Sequence, residues 1–199
     1  MLIRTVVVGF LETNCYLISE KETGDAVVVD PGGDPEKIFS AIRTKNLNIK
    51  YIILTHGHHD HIGALHELRD KFRVPILLHR VEADFMNVPQ KERGPFSAGN
   101  GDIFLVLEEG DEIPVGGGKL KVLHTPGHTP GGACFLNGKV CVTGDTLFCD
   151  GVGRTDFEGG SADALMSSIR DKLLVLPDDT KIFPGHGPSS TIGRERRYF

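Results

Sequence analysis

Cysteine is scarce in this chain of 199 residues, positive charge is in deficit, and long apolar runs are missing. The four cysteines, Cys15, Cys134, Cys141 and Cys149, form no C-x-x-C pair, and three of them lie in strand-like apolar surroundings. They read as small buried hydrophobes of a cytoplasmic protein in a reducing compartment, not as a disulfide framework or a cysteine-rich structural zinc site. Cys149 is the exception, in a loop after a candidate ligand, but a catalytic role for it is not favoured. Lysine and arginine number 22 against 27 aspartates and glutamates, a formal net charge of −5. That balance argues against a nucleic-acid-binding surface. No segment approaches the roughly 20 apolar residues of a membrane span, and the start Met1–Phe10 lacks the features of a signal peptide. With 39% hydrophobic and 25% charged residues, the chain reads as one soluble domain over residues 1–199.

Glycine is abundant, with 25 residues, many beside histidine or aspartate, as expected where loops carry the chemistry. Leu2–Phe10, Asn14–Ser19 and Ala26–Asp30 are β-branched or apolar runs separated by polar turns and read as strands. Asp34 is placed to cap a helix that begins at Pro35 and runs to about Lys45, with Ile38, Phe39, Ala41 and Ile42 as its apolar stripe. A strand is expected at Ile49–Thr55, a helical stripe at Ala64, Leu65, Leu68 and Phe72, and a strand at Pro75–His79. Residues 87–102, rich in proline, glycine and polar side chains, read as an exposed connection overhanging a cleft. Strands recur at Lys119–His124, Ala133–Leu136, Val140–Thr143 and Thr180–Phe183, with an amphipathic helix at Ala162–Leu174. No strong internal repeat, low-complexity tract or interdomain linker interrupts this order.

The densest chemistry lies in Thr55-His56-Gly57-His58-His59-Asp60-His61-Ile62-Gly63, directly after the apolar run Tyr51–Leu54. Imidazole and carboxylate together are the ligands of zinc and related divalent ions, and a strand ending in such a loop presents several from a rigid support. Three more strand ends repeat the pattern of apolar strand, glycine and ligand-type side chain: Gly127-His128, Gly144-Asp145 and Gly185-His186. A single histidine is more often a surface or satisfied core residue; recurrence at four strand ends points to one site. The set His56, His58, Asp60, His61, His128, Asp145 and His186 exceeds the four ligands of one zinc. It matches two ions with three private ligands each and one shared carboxylate. His56 and His58, two apart, face the same way in an extended loop, while Asp60 and His61 diverge towards a second ion. His124 is placed to orient a ligand by a hydrogen bond; His59, His66 and His79 read as non-ligands.

The motifs T-H-G-H-H-D-H-I-G, H-T-P-G-H-T-P-G, T-G-D-T-L-F, G-R-T-D-F-E-G-G and F-P-G-H-G-P span residues 55–188. Together they resemble the metallo-β-lactamase superfamily, and within it the glyoxalase II-like (hydroxyacylglutathione hydrolase-like) group. The resemblance implies an α/β fold, a four-layer αβ/βα sandwich with the metals at one edge between two sheets. It implies that His56, His58 and His128 hold the first metal and that Asp60, His61 and His186 hold the second. Asp145 would bridge both, with Asp60 and Asp145 as the catalytic carboxylates. Arg154 and Phe157 match a loop that in such enzymes contacts the thiol part of the substrate. Full-length glyoxalase II enzymes carry an extra C-terminal helical domain, whereas thirteen residues follow His186 here. They also place a tyrosine soon after the last histidine ligand, where this chain has Gly187-Pro188 and no tyrosine until Tyr198. The metal chemistry therefore carries over more fully than glutathione specificity.

The expected activity is hydrolysis of a small-molecule thioester such as S-D-lactoylglutathione. Two divalent ions, zinc foremost with iron or manganese as substitutes, would hold a bridging hydroxide that attacks the carbonyl, with Asp60 orienting it. A thiolate leaves without a strong general acid. Arg154 either meets a substrate carboxylate or is held by Asp156 or Glu158, and Arg194-Glu195-Arg196-Arg197 reads as a solvated helix end in preference to an anion site. The same resemblance offers a mononuclear iron persulfide dioxygenase using His56, His128 and Asp145, or a lactonase. Retention of every ligand for two metals favours the hydrolase. The oligomeric state is not legible.

Overall fold

The computed structural model describes residues 1–22, 24–88, 90–91 and 104–199. Strands whose residues are apolar on both faces must be covered on both faces, and that requirement sets the layering. The first sheet contains β1 (Leu2–Val8), β2 (Thr13–Ser19), β3 (Gly24–Val29), β4 (Leu47–Ile53), β5 (Ile76–His79), β6 (Gln90–Lys91) and β7 (Phe104–Leu107), ordered β1-β2-β3-β4-β5-β7-β6. It is antiparallel from β1 to β3 and parallel beyond. Next come β8 (Glu112–Val115), β9 (Gly118–His124), β10 (Ala133–Asn137), β11 (Val140–Gly144), a small ribbon of β12 (Leu147–Phe148) and β13 (Gly151–Val152), then β14 (Lys181–Pro184) and β15 (Ser190–Thr191). All but the ribbon form the second sheet, ordered β15-β14-β11-β10-β9-β8. The helices are α1 (Pro35–Thr44), α2 (His59–Ile62), α3 (Leu65–Phe72), α4 (Arg80–Phe85), α5 (Ala162–Ser168) and α6 (Ile192–Glu195).

Alternate residues of each strand enter different cores. Ala26 and Val28 share one core with Ile38 and Ile42 of α1 and Leu65 and Leu68 of α3. Val27 and Val29 share another with Leu120, Val122 and Phe135 of the second sheet. On the far side, Cys134, Cys141 and Ile182 join Leu165, Ile169, Leu173 and Ile192. Three cores separate four layers, helices, sheet, sheet and helices, which is the αβ/βα sandwich the resemblance implies. Cys15, Cys134 and Cys141 are buried and free, as expected. No helix among the described residues is long and apolar enough to cross a membrane.

Several local expectations need correction. Asp34 stands at the start of α1 with φ 46° and makes no side-chain cap. Its carboxylate is taken instead by the Gly9 amide and the Lys37 ammonium. The helix expected at Ala162–Leu174 changes at Ser168 into a π-helical turn, Ile169–Leu173. Of residues 87–102, most lie outside the described residues, and Gln90–Lys91 is a strand paired with β7, not a loop. The helix α4 and the strand Phe104–Leu107 were not expected.

The two sheets are tied where the candidate ligands gather. The Asn14 amide group donates to the carbonyls of Pro184 and Gly187, and the Tyr16 hydroxyl donates to Pro184 at 2.6 Å. The Ala133 amide donates to the Thr55 carbonyl. A further link is an imidazole pair: His79 at the end of β5 stacks on His124 at the end of β9, with centroids 3.9 Å apart and planes 10° from parallel. His124 donates to the Pro130 carbonyl; it braces the turn after His128 without touching a ligand side chain. Burial and the neighbouring His124 lower the His79 pKa to about 4, against the opposing pull of Glu108 and Glu109. The folded state thus holds His79 neutral where the unfolded chain would protonate it. That contribution is complete above the ordinary histidine pKa of about 6.5 and is lost as pH falls towards about 4. Melting temperature should therefore drop over this window in the wild type and less steeply in His79→Gln; equal slopes in a thermal-melt series would contradict this account.

Candidate metal centre

Five chain segments bring the seven expected side chains to one edge between the sheets. Past the end of β4, the extended segment Leu54–His58 carries His56 and His58, and the single-turn helix α2 carries Asp60 and His61. The loops after β9, β11 and β14 deliver His128, Asp145 and His186. Asp60 and His61 are therefore helical neighbours and both reach His186, while the His61 ring also packs against that of His56, with centroids 4.1 Å apart.

The cluster divides in two. Single ligand atoms of His56, His58 and His128 lie within 4.8 Å of one another, and so do those of Asp60, His61 and His186, while Asp145 groups with His56 and His61. Asp145 reaches both halves: its Oδ2 is 3.5 Å from His128 Nε2 and 3.7 Å from His186 Nε2, and its Oδ1 is 3.4 Å from His61 Nε2. In the first half, His128 Nε2 and His58 Nδ1 face each other at 2.9 Å. In the second, His186 Nε2 and His61 Nε2 lie 3.1 and 3.6 Å from Asp60 Oδ2.

The surroundings aim these lone pairs inward. A carbonyl or carboxylate can only accept, so the ring nitrogen facing it must carry the proton. His128 Nδ1 donates to the Arg154 carbonyl, His186 Nδ1 to the Leu11 carbonyl and His61 Nδ1 to Asp30. In each neutral ring Nε2 is left as the acceptor directed at the cluster, the usual arrangement behind a histidine ligand. Asp30, legible from sequence only as a strand end, is buried and also accepts from the Thr55 amide and hydroxyl. The signal for it was an acidic residue closing an apolar strand beside Pro31-Gly32-Gly33.

The residues fit divalent ions. Buried polar atoms almost always have partners, yet His56 Nε2, His61 Nε2 and Asp145 Oδ1 make no hydrogen bond. Gly185 lets its loop pass close to these groups: a Cβ there would lie 2.1 Å from Asp145 Oδ1 and 2.7 Å from His61 Cε1. Burial and the flanking imidazoles hold His56 well below the usual histidine range, so it stays neutral. Asp60 and Asp145 stay ionised, because His186 and His61 outweigh the burial that opposes their charge.

Above the cluster opens a cavity of about 740 Å³ whose walls include Leu11, Phe85, Phe148, Val152 and Phe157. Arg154 and Phe157 both line it. The Arg154 guanidinium, however, is bound by two hydrogen bonds to Asp156 and lies over the Phe157 ring at 4.2 Å. Its charge is already paired, and its clearest structural role is the carbonyl that orients His128. Of the C-terminal cations, Arg194 pairs with Asp150 and Arg196 donates to the carbonyls of Leu174 and Leu176; neither lines the cavity. Partial desolvation and the neighbouring Asp150 carboxylate raise the Cys149 thiol pKa, which disfavours the thiolate.

The chain belongs to the metallo-beta-lactamase superfamily, whose family model matches residues 8–186. It is 41% identical over 205 residues to hydroxyacylglutathione hydrolase GloC of Haemophilus influenzae, covering 99% of this chain and 96% of that protein. Among solved structures it resembles the BLEG-1 B3 metallo-beta-lactamase, with a TM-score of 0.84, 35% identity, and 98% and 97% of the two chains covered. It also resembles TTHA1623, solved in a di-iron-bound form, with a TM-score of 0.79, 34% identity and the same coverage.

One consequence concerns protons. Burial opposes a charge on His61, but Asp30 and Asp145 outweigh it and push its pKa up to about 10; His186 is raised by Asp60. Metal and proton compete for the same Nε2 lone pairs, so loading metal-free protein at pH 7 should release about one proton or more. Calorimetric titration in two buffers of different ionisation enthalpy measures that number, and a value of zero would contradict the charge state derived for His61.

Proposed function

We propose that this protein is a metal-dependent hydrolase that cleaves small-molecule thioesters, with S-D-lactoylglutathione as the first substrate to test. The observation that carries the reading is an apolar-walled cavity lined by His58, Asp60, His128, Asp145 and His186, beside which the buried Nε2 atoms of His56 and His61 make no hydrogen bond. Full-length likeness to a hydroxyacylglutathione hydrolase supports thioesters as the substrate class. In this reading His56, His58 and His128 hold one ion, Asp60, His61 and His186 a second, and Asp145 is shared. Zinc is the proposed metal, with iron or manganese as substitutes for the same donor set. Held there, two divalent ions supply a hydroxide nucleophile at neutral pH and polarise the carbonyl under attack.

The chain's own residues supply the rest. Asp60 is kept ionised and accepts the Thr13 hydroxyl at 3.3 Å. It is thus a rigid acceptor that orients the attacking oxygen. His61 is locked by Asp30 at 2.9 Å and cannot rotate away. The side chains of Leu11, Phe148 and Phe157 receive the organic part of the substrate and keep bulk water from the reacting carbonyl. Phe157 also packs edge-on against His58, with centroids 5.3 Å apart, so substrate contact and ligand placement are coupled. The departing thiolate is stable without a proton, which suits a site whose acidic groups are held ionised.

The test is a thioester panel assayed with protein of known metal content. Turnover should vanish on chelation, return on adding metal, and fall by more than about a hundredfold in Asp145→Ala, beyond the usual cost of losing a residue behind a ligand. Absence of metal-dependent turnover across the panel would refute the proposal. So would oxygen uptake with glutathione persulfide by protein holding one iron and inert towards thioesters, the outcome that marks the dioxygenase.

A further inference from the structure

Helix α4 contributes no ligand, yet both loops of the first ligand group lie against it. Its Glu82 is 1% exposed. Glu82 Oε1 accepts the Gly57 amide at 2.8 Å, and Gly57 is the residue between His56 and His58. Glu82 Oε2 accepts the Thr129 hydroxyl at 2.8 Å and the Gly131 amide at 2.9 Å, in the turn that follows His128. A single buried carboxylate therefore joins the two segments that supply His56, His58 and His128. The two glycines mark how closely those segments approach the helix. A Cβ on Gly131 would lie 2.0 Å from the Glu82 amide nitrogen, and a Cβ on Gly57 would lie 2.2 Å from Met86 Sδ. The hydrogen bonds from Gly57, Thr129 and Gly131 to Glu82 involve no residue of the second group, whose His61 is held by Asp30.

We propose that Glu82 is a positioning residue for one ion only, fixing the spacing of the His56, His58 and His128 triad and leaving the Asp60, His61 and His186 triad to Asp30. The inference rests on the two-ion reading above. A carboxylate is needed because both of its oxygens must accept: three donors converge on it, and a buried donor left without an acceptor is costly. Glutamine keeps one accepting oxygen and turns an amide donor towards the other group of donors, so it preserves one arm of the clamp. Alanine removes both.

The experiment titrates metal-free wild type, Glu82→Gln and Glu82→Ala with zinc, following ion number per chain and the ¹⁵N shifts of the histidine rings. Wild type should bind two ions. In Glu82→Ala one ion should bind with unchanged affinity, shifting His61 and His186, while the signals of His56, His58 and His128 should respond only at about 10- to 100-fold higher zinc, the usual cost of losing a group behind a ligand. Glu82→Gln should fall between the two. Two ions bound by Glu82→Ala with wild-type affinity would overturn the role, as would equal weakening of both triads, the mark of a merely structural residue. Fewer than two ions in the wild type itself would instead defeat the two-ion reading, so the two failures are distinguishable.

Discussion

Asp30 is the residue on which the rest of the site depends. Burying a carboxylate is costly unless hydrogen bonds and a counter-charge surround it. Asp30, at the end of β3, meets that condition by taking the Thr55 amide, the Thr55 hydroxyl and His61 Nδ1. Those contacts hold the segment after β4 in an extended course as far as His58, and they turn His61 Nε2 towards Asp145. The parallel pairing of β3 with β4 is what places Asp30 beside Thr55, so fold and site share one constraint. Removing the Asp30 charge would leave His61 free to change tautomer or orientation, and a histidine with the wrong tautomer presents a proton where the metal needs a lone pair.

The edge between the sheets is where such a centre can exist. Elsewhere the space between them is filled by side chains such as Tyr16, Leu77, Val122 and Phe135. At this edge the strands end, glycines such as Gly185 let the loops pass close to the cluster, and Asn14 and Tyr16 fasten β2 to the end of β14. The result is a polar floor set into an apolar frame. Phe10, 98% exposed in the β1–β2 turn, and Leu11 beside it extend that apolar surface past the cavity mouth.

Much of this was legible in the sequence, for identifiable reasons. The layering follows from strands apolar on both faces, and Val27 and Val28 pointing into different cores is the alternation itself. The seven candidate ligands could be read because polar side chains recur after glycine at four strand ends, where an apolar run gives no reason for them. Asp30 and Glu82 could not be read in the same way. Each is a lone acid whose function arises only when a distant segment, Thr55 or Thr129, packs onto it. Arg154 shows the converse. Its motif suggested an anion partner, but Asp156, two residues on, already occupies the guanidinium, a competition that spacing alone leaves open. Asp34 likewise fits the pattern of a helix cap until the turn at Gly9 claims its carboxylate.

The central claim is that the cluster is a two-ion centre with Asp145 shared. Anomalous diffraction from zinc-loaded crystals, recorded above and below the zinc absorption edge, tests it directly. The account predicts two peaks, one among His56, His58 and His128, the other among Asp60, His61 and His186, each within coordinating distance of Asp145. A single peak, or a second one away from Asp60, His61 and His186, would contradict it.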